Sequence, residues 1–350
     1  EMCIRDRPTL APDDLLWIGS RGGIEEDLVE RTGTRFLGLA AGGLRGVGLL
    51  TKIRNAFRIG SSLRRARSIL SQFKPDAVLV TGGYACVAVT LAAWLQWVPV
   101  VIYLPDIVPG LAIRFLSRFA AKITVTSEES YHFFRRDKVV VTGYPVRADV
   151  YELDRDAARM ELGLDAESKT LLVFGGSRGA RSINQALVAG LPELLPVCQV
   201  VHVSGRLDAD WVAGMAKRLP EELRGRYHHH AYLHDMPQAL VAADLVVARA
   251  GAATMGEFPA AKLPAVLVPY PHSGQHQNPN AGHMTRNGAA LTLADAELAE
   301  KLVPKVLALL RDEQSLAEMR ESAHAMARPD AADAIAEQLW LAARKRAVRT

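Results

Sequence analysis

Short apolar runs recur along the chain, and segments with charged faces separate most of them. The first half carries LLWIGS, RFLGLA, AVLVTGG, VVIYLPD, KITVTS and KVVVTGY; the second carries TLLVFGGS, CQVVHVSG, YHHHAYL, DLVVARAG, AVLVPYP and AALTL. Near-continuous apolar runs suit strands buried on both faces, and alternation with helices joins such strands in parallel. The expected fold class is therefore α/β, with doubly wound parallel sheets. Twelve such runs are too many for one comfortable open sheet, so two domains follow. The break falls near Tyr144–Asp154, where YPVRADVYELD leaves the strand pattern. This divides the chain into 1–146, 147–329 and a helical tail over 330–350.

Open α/β sheets bind ligands at the carboxyl ends of their strands. DLVVARAGAATMGE, Asp244–Glu257, reads as a strand, a glycine turn and a helix that starts on small residues. Gly251, Ala252 and Ala253 leave room for close approach to the backbone, and the helix start through Thr254 suits a phosphate. Glu257, about one turn in, can accept two ribose hydroxyls. GGSRGARSIN, Gly175–Asn184, follows another strand; Gly175, Gly176 and Gly179 let the backbone wrap an anion, and Ser177 can donate to it. In TGYPVR, Arg147 can hold a phosphate with two hydrogen bonds or simply form a surface ion pair. In HSGQHQNPN, His276, Gln277 and Asn280 offer neutral partners for sugar hydroxyls. In TGGYACVAV, Gly82 and Gly83 permit close approach beside Tyr84, which is either a cleft residue or a core tyrosine.

Two other patterns carry less. His228, His229 and His230 are consecutive on a strand, so their side chains alternate between faces and cannot all ligate one metal. Asp208 and Asp210 form a DxD string at a helix start, where capping is the expected role, as it is for Asp235 in YLHDM. No metal site is expected.

Composition limits the remaining classes. With 49% hydrophobic and 23% charged residues the chain is ordinary globular material, and no apolar run reaches the roughly 18 residues that span a bilayer. Cys3, Cys86 and Cys198 lie far apart, which argues against a disulfide framework or a zinc site. Net charge is +4, and Lys52, Arg54, Arg58, Arg64, Arg65 and Arg67 cluster between Ile53, Phe57, Ile59 and Leu63. Such a helix either lies on an anionic membrane or presents a solvated face over the core. No nucleic-acid motif or stacking platform accompanies it, so nucleic acid is not an expected partner. EMCIRDRP has no apolar signal region, and the first strand arrives without a preceding strand–helix unit, which reads as a truncated start.

The order of these motifs from about Trp17 to Leu293 resembles the MurG family. That resemblance implies a GT-B arrangement of two Rossmann-like domains facing a cleft. It also implies an inverting transfer of N-acetylglucosamine from UDP-GlcNAc to lipid I, the undecaprenyl-linked acceptor, at the cytoplasmic face of the bacterial membrane, with no cofactor. On it, Ser177 contacts the donor diphosphate, Asn184 belongs to the same site, and Arg147 meets the nucleotide. The main chain at Leu233 reads the uracil, and His276, Gln277 and Asn280 read the GlcNAc hydroxyls. Gly82, Gly83 and Tyr84 lie on the acceptor side. The terminal helix commonly crosses back to the first domain in such folds. Three departures stand out. Tyr144 replaces an asparagine, and YLPDIVPG keeps only Asp106 where the family carries HEQNxxPG. No GxGGH loop, which bears the family's histidine near the reacting centre, precedes Leu15, so the catalytic base is unassigned and a weak catalyst is expected. Another lipid-directed transferase of this fold and a non-catalytic UDP-sugar-binding protein remain open alternatives.

Overall fold

A computed structural model describes residues 11–22, 24–39, 49–83, 85–176, 179–271 and 276–347. The chain divides into two compact units, Gly143–Pro329 and a first unit that combines Glu1–Thr142 with Asp330–Thr350.

The second unit is built on β7 (Thr170–Phe174), β8 (Gln199–Val203), β9 (Tyr227–His230), β10 (Leu245–Ala248), β11 (Ala265–Leu267) and β12 (Ala290–Thr292). All are parallel, in the order β12-β11-β10-β7-β8-β9. Every residue of β8, β10 and β11 is buried, as apolar runs covered on both faces require. The helix Arg181–Leu194 covers one face through Ile183, Leu187, Leu191 and Leu194, and the helix Leu298–Arg311 joins the same core. The strand order reverses between β7 and β10, so the loops that follow these two neighbours open side by side at the carboxyl edge. Their opposite ends are locked by Asp244, which accepts from the Thr170 amide (2.8 Å) and from Arg159 (2.8 Å).

The first unit holds β1 (Leu16–Ser20), β2 (Arg35–Leu39), β3 (Val78–Val80), β4 (Val100–Leu104), β5 (Lys122–Val125) and β6 (Val139–Val141). Again every pairing is parallel. One departure from a single sheet is evident: among the described residues the ladder has two parts, β1-β2 and β3-β4-β5-β6. The core is nevertheless continuous, because Ile18 and Leu39 pack with Val80, Ala88 and Ile102. The helix Leu49–Phe73 buries Ala66 and Leu70 in that core and turns Arg64, Arg65 and Arg67 to solvent. Leu63, partly buried, packs against the same core; the side chains of Ile53, Phe57 and Ile59 lie outside the described residues. The helix Ala331–Ala347 belongs to this unit, with Ala331 and Ile335 buried and Arg346 donating to the Pro75 carbonyl.

Candidate functional site

The loop after β7 has a backbone path that only glycine takes easily. Gly176 and Gly179 lie at φ +85° and +75°. A Cβ on Gly175 would come within 2.2 Å of the Ala180 nitrogen, and one on Gly179 within 2.4 Å of the Ser204 carbonyl oxygen. Ser177 lies outside the described residues. Asn184, one turn into the following helix, is completely buried. Its amide donates to the Ser204 carbonyl and to Asp208, both at 2.9 Å, so it faces the wall behind the loop. Replacing Gly179 with alanine is expected to cost roughly 2–4 kcal/mol, from a left-handed backbone plus the clash with Ser204. A fall in melting temperature together with weakened anion binding checks this.

The loop after β10 is held from beneath by Arg249, whose side chain is 10% exposed. Its guanidinium donates to Asp295, to Ser182 Oγ (2.9 Å) and to the Val268 carbonyl (3.3 Å), and stacks over Tyr270. One cation thereby joins four segments around the site. Gly251, Ala252 and Ala253 follow, half-buried, and the Thr254 hydroxyl donates to the Gly251 carbonyl at 2.7 Å. Glu257 sits in the short helix Thr254–Ala260. Burial raises its carboxyl group above the ordinary value. Behind it Gly256 is indispensable, since a Cβ there would lie 2.5 Å from the ring of Tyr144.

The helix Gln277–Arg286 forms the next wall. Gln277 Oε1 accepts from the Tyr270 amide at 2.9 Å, while its own Nε2 is a second polar end. Asn280 is fully buried and donates to the Ala250 carbonyl at 3.2 Å, so it fixes the β10 loop. His276 is half-buried at the helix start. Leu233 is half-buried in the turn after β9; Asp235 stands at the following cap position but its side chain makes no capping bond. Arg147 is 60% exposed and pairs with Asp149. Such pairs contribute about 0–1 kcal/mol, so a phosphate can displace the aspartate.

Asp208 departs from the capping role: it makes no cap bond and instead receives Arg181 and Asn184. Burial alone would raise its carboxyl group, but hydrogen bonds from Arg181, Asn184 and Trp211 outweigh that and hold it low. Among the described residues, no group of three or more His, Cys, Asp or Glu side chains is placed to hold a metal. In the first unit, Gly82 and Gly83 take φ +126° and +86° after β3, Asp106 is half-buried after β4, and Tyr84 lies outside the described residues. Arg249 and Ser204 are absent from the residues expected on sequence. An arginine two residues before the turn glycine Gly251, and a serine before Gly205 at φ +82°, are the signals that mark them.

Residues 170–335 match the glycosyltransferase family 28 C-terminal domain, and residues 9–125 match its N-terminal domain. A Roseiflexus protein named UDP-N-acetylglucosamine--N-acetylmuramyl-(pentapeptide) pyrophosphoryl-undecaprenol N-acetylglucosamine transferase is 41% identical, over 92% of this chain and 82% of its own length. A Listeria monocytogenes protein of the same name is 36% identical, over 93% of this chain and 90% of its own. The crystal structure of Acinetobacter baumannii MurG superposes with a TM-score of 0.73 at 25% identity, covering 93% of this chain and 90% of that one. A UDP-GlcNAc 2-epimerase from Neisseria meningitidis, solved with UDP-GlcNAc bound, shares the fold at TM-score 0.61 and 15% identity, covering 90% and 88%.

Proposed function

The chain belongs to the MurG branch of glycosyltransferase family 28, and from that membership we infer that it transfers N-acetylglucosamine from UDP-GlcNAc to lipid I, forming lipid II for peptidoglycan. The observation that carries the site assignment is the pair of glycine-bearing loops on adjacent strands, with Gly175, Gly176 and Gly179 after β7 and Gly251–Thr254 after β10. Backbone amides converging at a switch point suit a diphosphate. Glu257 then takes the ribose hydroxyls, Leu233 the uracil, and His276 and Gln277 the sugar. Asn184 and Asn280 serve the same site by holding its walls, and Arg147 closes on a phosphate by exchanging Asp149. Gly82, Gly83 and Asp106 are assigned to the acceptor side in the first unit.

The chemistry is a single displacement. The acceptor hydroxyl oxygen forms a bond to the anomeric carbon as the bond from that carbon to the diphosphate breaks. The hydroxyl proton leaves to a base, and the new negative charge rests on UDP. Preorganised donors around a leaving diphosphate lower the barrier more than any other contribution such a site makes. Calorimetry with the full chain tests the donor assignment. UDP-GlcNAc is expected to bind at least about tenfold more tightly than ADP-glucose, a difference of about 1.4 kcal/mol; equal affinities would contradict it.

The lipid-linked acceptor calls for a membrane-facing surface, and no described helix is long and apolar enough to cross a membrane. Support for peripheral docking comes from an exposed apolar patch on the first unit. Trp97 is 88% and Leu111 70% exposed, with Trp94 and Phe115 beside them. Trp94 and Phe115 both meet Phe119 edge-on, and Arg118 lies over the Phe115 ring. Gln96 donates to the Arg67 carbonyl, which ties this patch to the basic helix. Aromatic side chains rimmed by arginine suit the interface of an anionic bilayer. The double substitution Trp94→Ala, Trp97→Ala is expected to lower binding to phosphatidylglycerol vesicles by at least about tenfold, given the area each ring buries. Unchanged sedimentation with such vesicles would exclude this face as the docking surface.

A further inference from the structure

Behind the β7 loop lies a closed chain of polar side chains that the transfer reaction does not use. His202 on β8 is completely buried. Its Nδ1 lies 2.7 Å from the Tyr227 hydroxyl and its Nε2 lies 2.9 Å from Asn184 Oδ1. The direction of these bonds follows from Asn184. The Asn184 amide nitrogen already donates twice, to the Ser204 carbonyl and to Asp208. Its oxygen must therefore accept, so the proton sits on His202 Nε2, and Nδ1 accepts from the Tyr227 hydroxyl. Ser204 is gripped again from β9: its hydroxyl lies 2.8 Å from His229 Nε2, and its amide donates to the His230 carbonyl at 3.0 Å.

The Ser204 carbonyl is also the atom beneath Gly179. The depth of the glycine turn is thus set by where that carbonyl stands, and His202 and Asp208 together orient the Asn184 amide that holds it. We propose that His202, as the uncharged Nε2–H tautomer fixed by Tyr227, is a positioning residue that keeps Gly179 and the Ser204 carbonyl beneath it in the arrangement that receives the donor diphosphate. This rests on the assignment of that turn to the diphosphate. Charge on the ring would give Nδ1 a proton facing the tyrosine hydroxyl, and burial opposes it, pushing the imidazolium down to about 3, with His229 adding to the effect and Asp208 opposing it. The device is an uncharged strut of fixed polarity, with every donor and acceptor along it matched. Buried networks of this kind hold one geometry when complete and become costly when one member is removed.

Two measurements on the full chain test it. Long-range proton–nitrogen spectra of histidine-labelled protein, with His202 assigned by its loss in His202→Gln, read the tautomer directly. A protonated Nε2 with an unprotonated Nδ1 at neutral pH is expected; an Nδ1–H tautomer or an imidazolium overturns the proposal. In the second, His202→Phe is expected to raise the UDP Kd and the KM for UDP-GlcNAc roughly 5- to 150-fold, the range for buried partners left unpaired. The acceptor KM should stay within about twofold, since the assigned acceptor residues lie on the other unit. His202→Gln should recover most of the loss, because its amide can donate to Asn184 Oδ1. An unchanged Kd in folded His202→Phe, or an equal rise in both KM values, overturns the proposal. If phenylalanine prevents folding, Tyr227→Phe takes its place: a several-fold weaker UDP Kd supports the strut and an unchanged one overturns it. Wild-type protein that fails to bind UDP sinks the donor-site assignment and this inference with it, whereas normal wild-type binding with unaffected variants sinks only the inference.

Discussion

Arg249→Leu is expected to destabilise the second unit by about 3–5 kcal/mol and to abolish donor turnover. The guanidinium and its partner Asp295 are 10% and 20% exposed, so removing the cation leaves a mostly buried carboxylate without its charge. Breaking a pair of this kind costs more than the pair contributes, because the remaining charge stays desolvated. The same substitution also releases Ser182 at the start of the Arg181–Leu194 helix and the Val268 carbonyl after β11. The walls that follow β7, β10 and β11 then lose their common tie. Chemical denaturation of the variant measures the first effect and initial rates the second. The double substitution Arg249→Leu, Asp295→Leu should be less damaging than the single one, since no orphan charge remains. A double variant as unstable as the sum of its parts would place the cost elsewhere than in the ion pair.

Glu257→Ala is expected to weaken UDP binding by roughly 1–3 kcal/mol, and Glu257→Gln to remove its dependence on pH. The ribose hydroxyls donate, so they favour the ionised carboxylate. Burial favours the protonated form and raises the folded pKa above the ordinary 4.5. In the free protein the folded state therefore holds this proton more tightly than the unfolded chain does, and stability is lost as pH rises from 4.5 towards the raised folded value. UDP affinity runs the other way, falling as pH drops through the raised value and Glu257 takes up its proton. Titration calorimetry across the acid range separates the two trends. An affinity that ignores pH in wild-type protein, or one whose pH dependence survives Glu257→Gln, would move the ribose contact to another group.

Much of the architecture is legible in the sequence because its signals are local. Every described strand falls within one of the runs read from the sequence, and the central ones, β4, β8, β10 and β11, are buried throughout, as an uninterrupted apolar stretch requires. The turns at Gly176, Gly179 and Gly251 are legible for a similar reason: a strand end followed by glycine and a helix start has few other uses. What side chains do at those turns is less legible. Asn184 and Asn280 have the residue type of ligand contacts, yet both turn inward to carbonyls. Spacing places them on a helix face, but only the opposing strand decides whether that face meets solvent or Ser204 and Ala250. Asp208 shows the same limit: its position is a cap, while its carboxylate is taken by Arg181 and Asn184. The two-part ladder of the first unit and the membrane patch at Trp94–Phe119 depend on contacts across the fold, which periodicity along the chain does not encode.

Transfer of N-acetylglucosamine, with inversion, onto a lipid-linked acceptor is the reaction assigned to this chain. The direct measurement supplies UDP-GlcNAc, with its α-linked sugar, and a lipid I analogue in anionic vesicles, then follows UDP release and the anomeric proton of the product together by nuclear magnetic resonance. One UDP released for each β-linked disaccharide formed is expected, with no consumption of UDP-GlcNAc when the lipid is omitted. An α-linked product, UDP release without a disaccharide, or conversion of the donor to its 2-epimer in the absence of lipid would contradict the assignment.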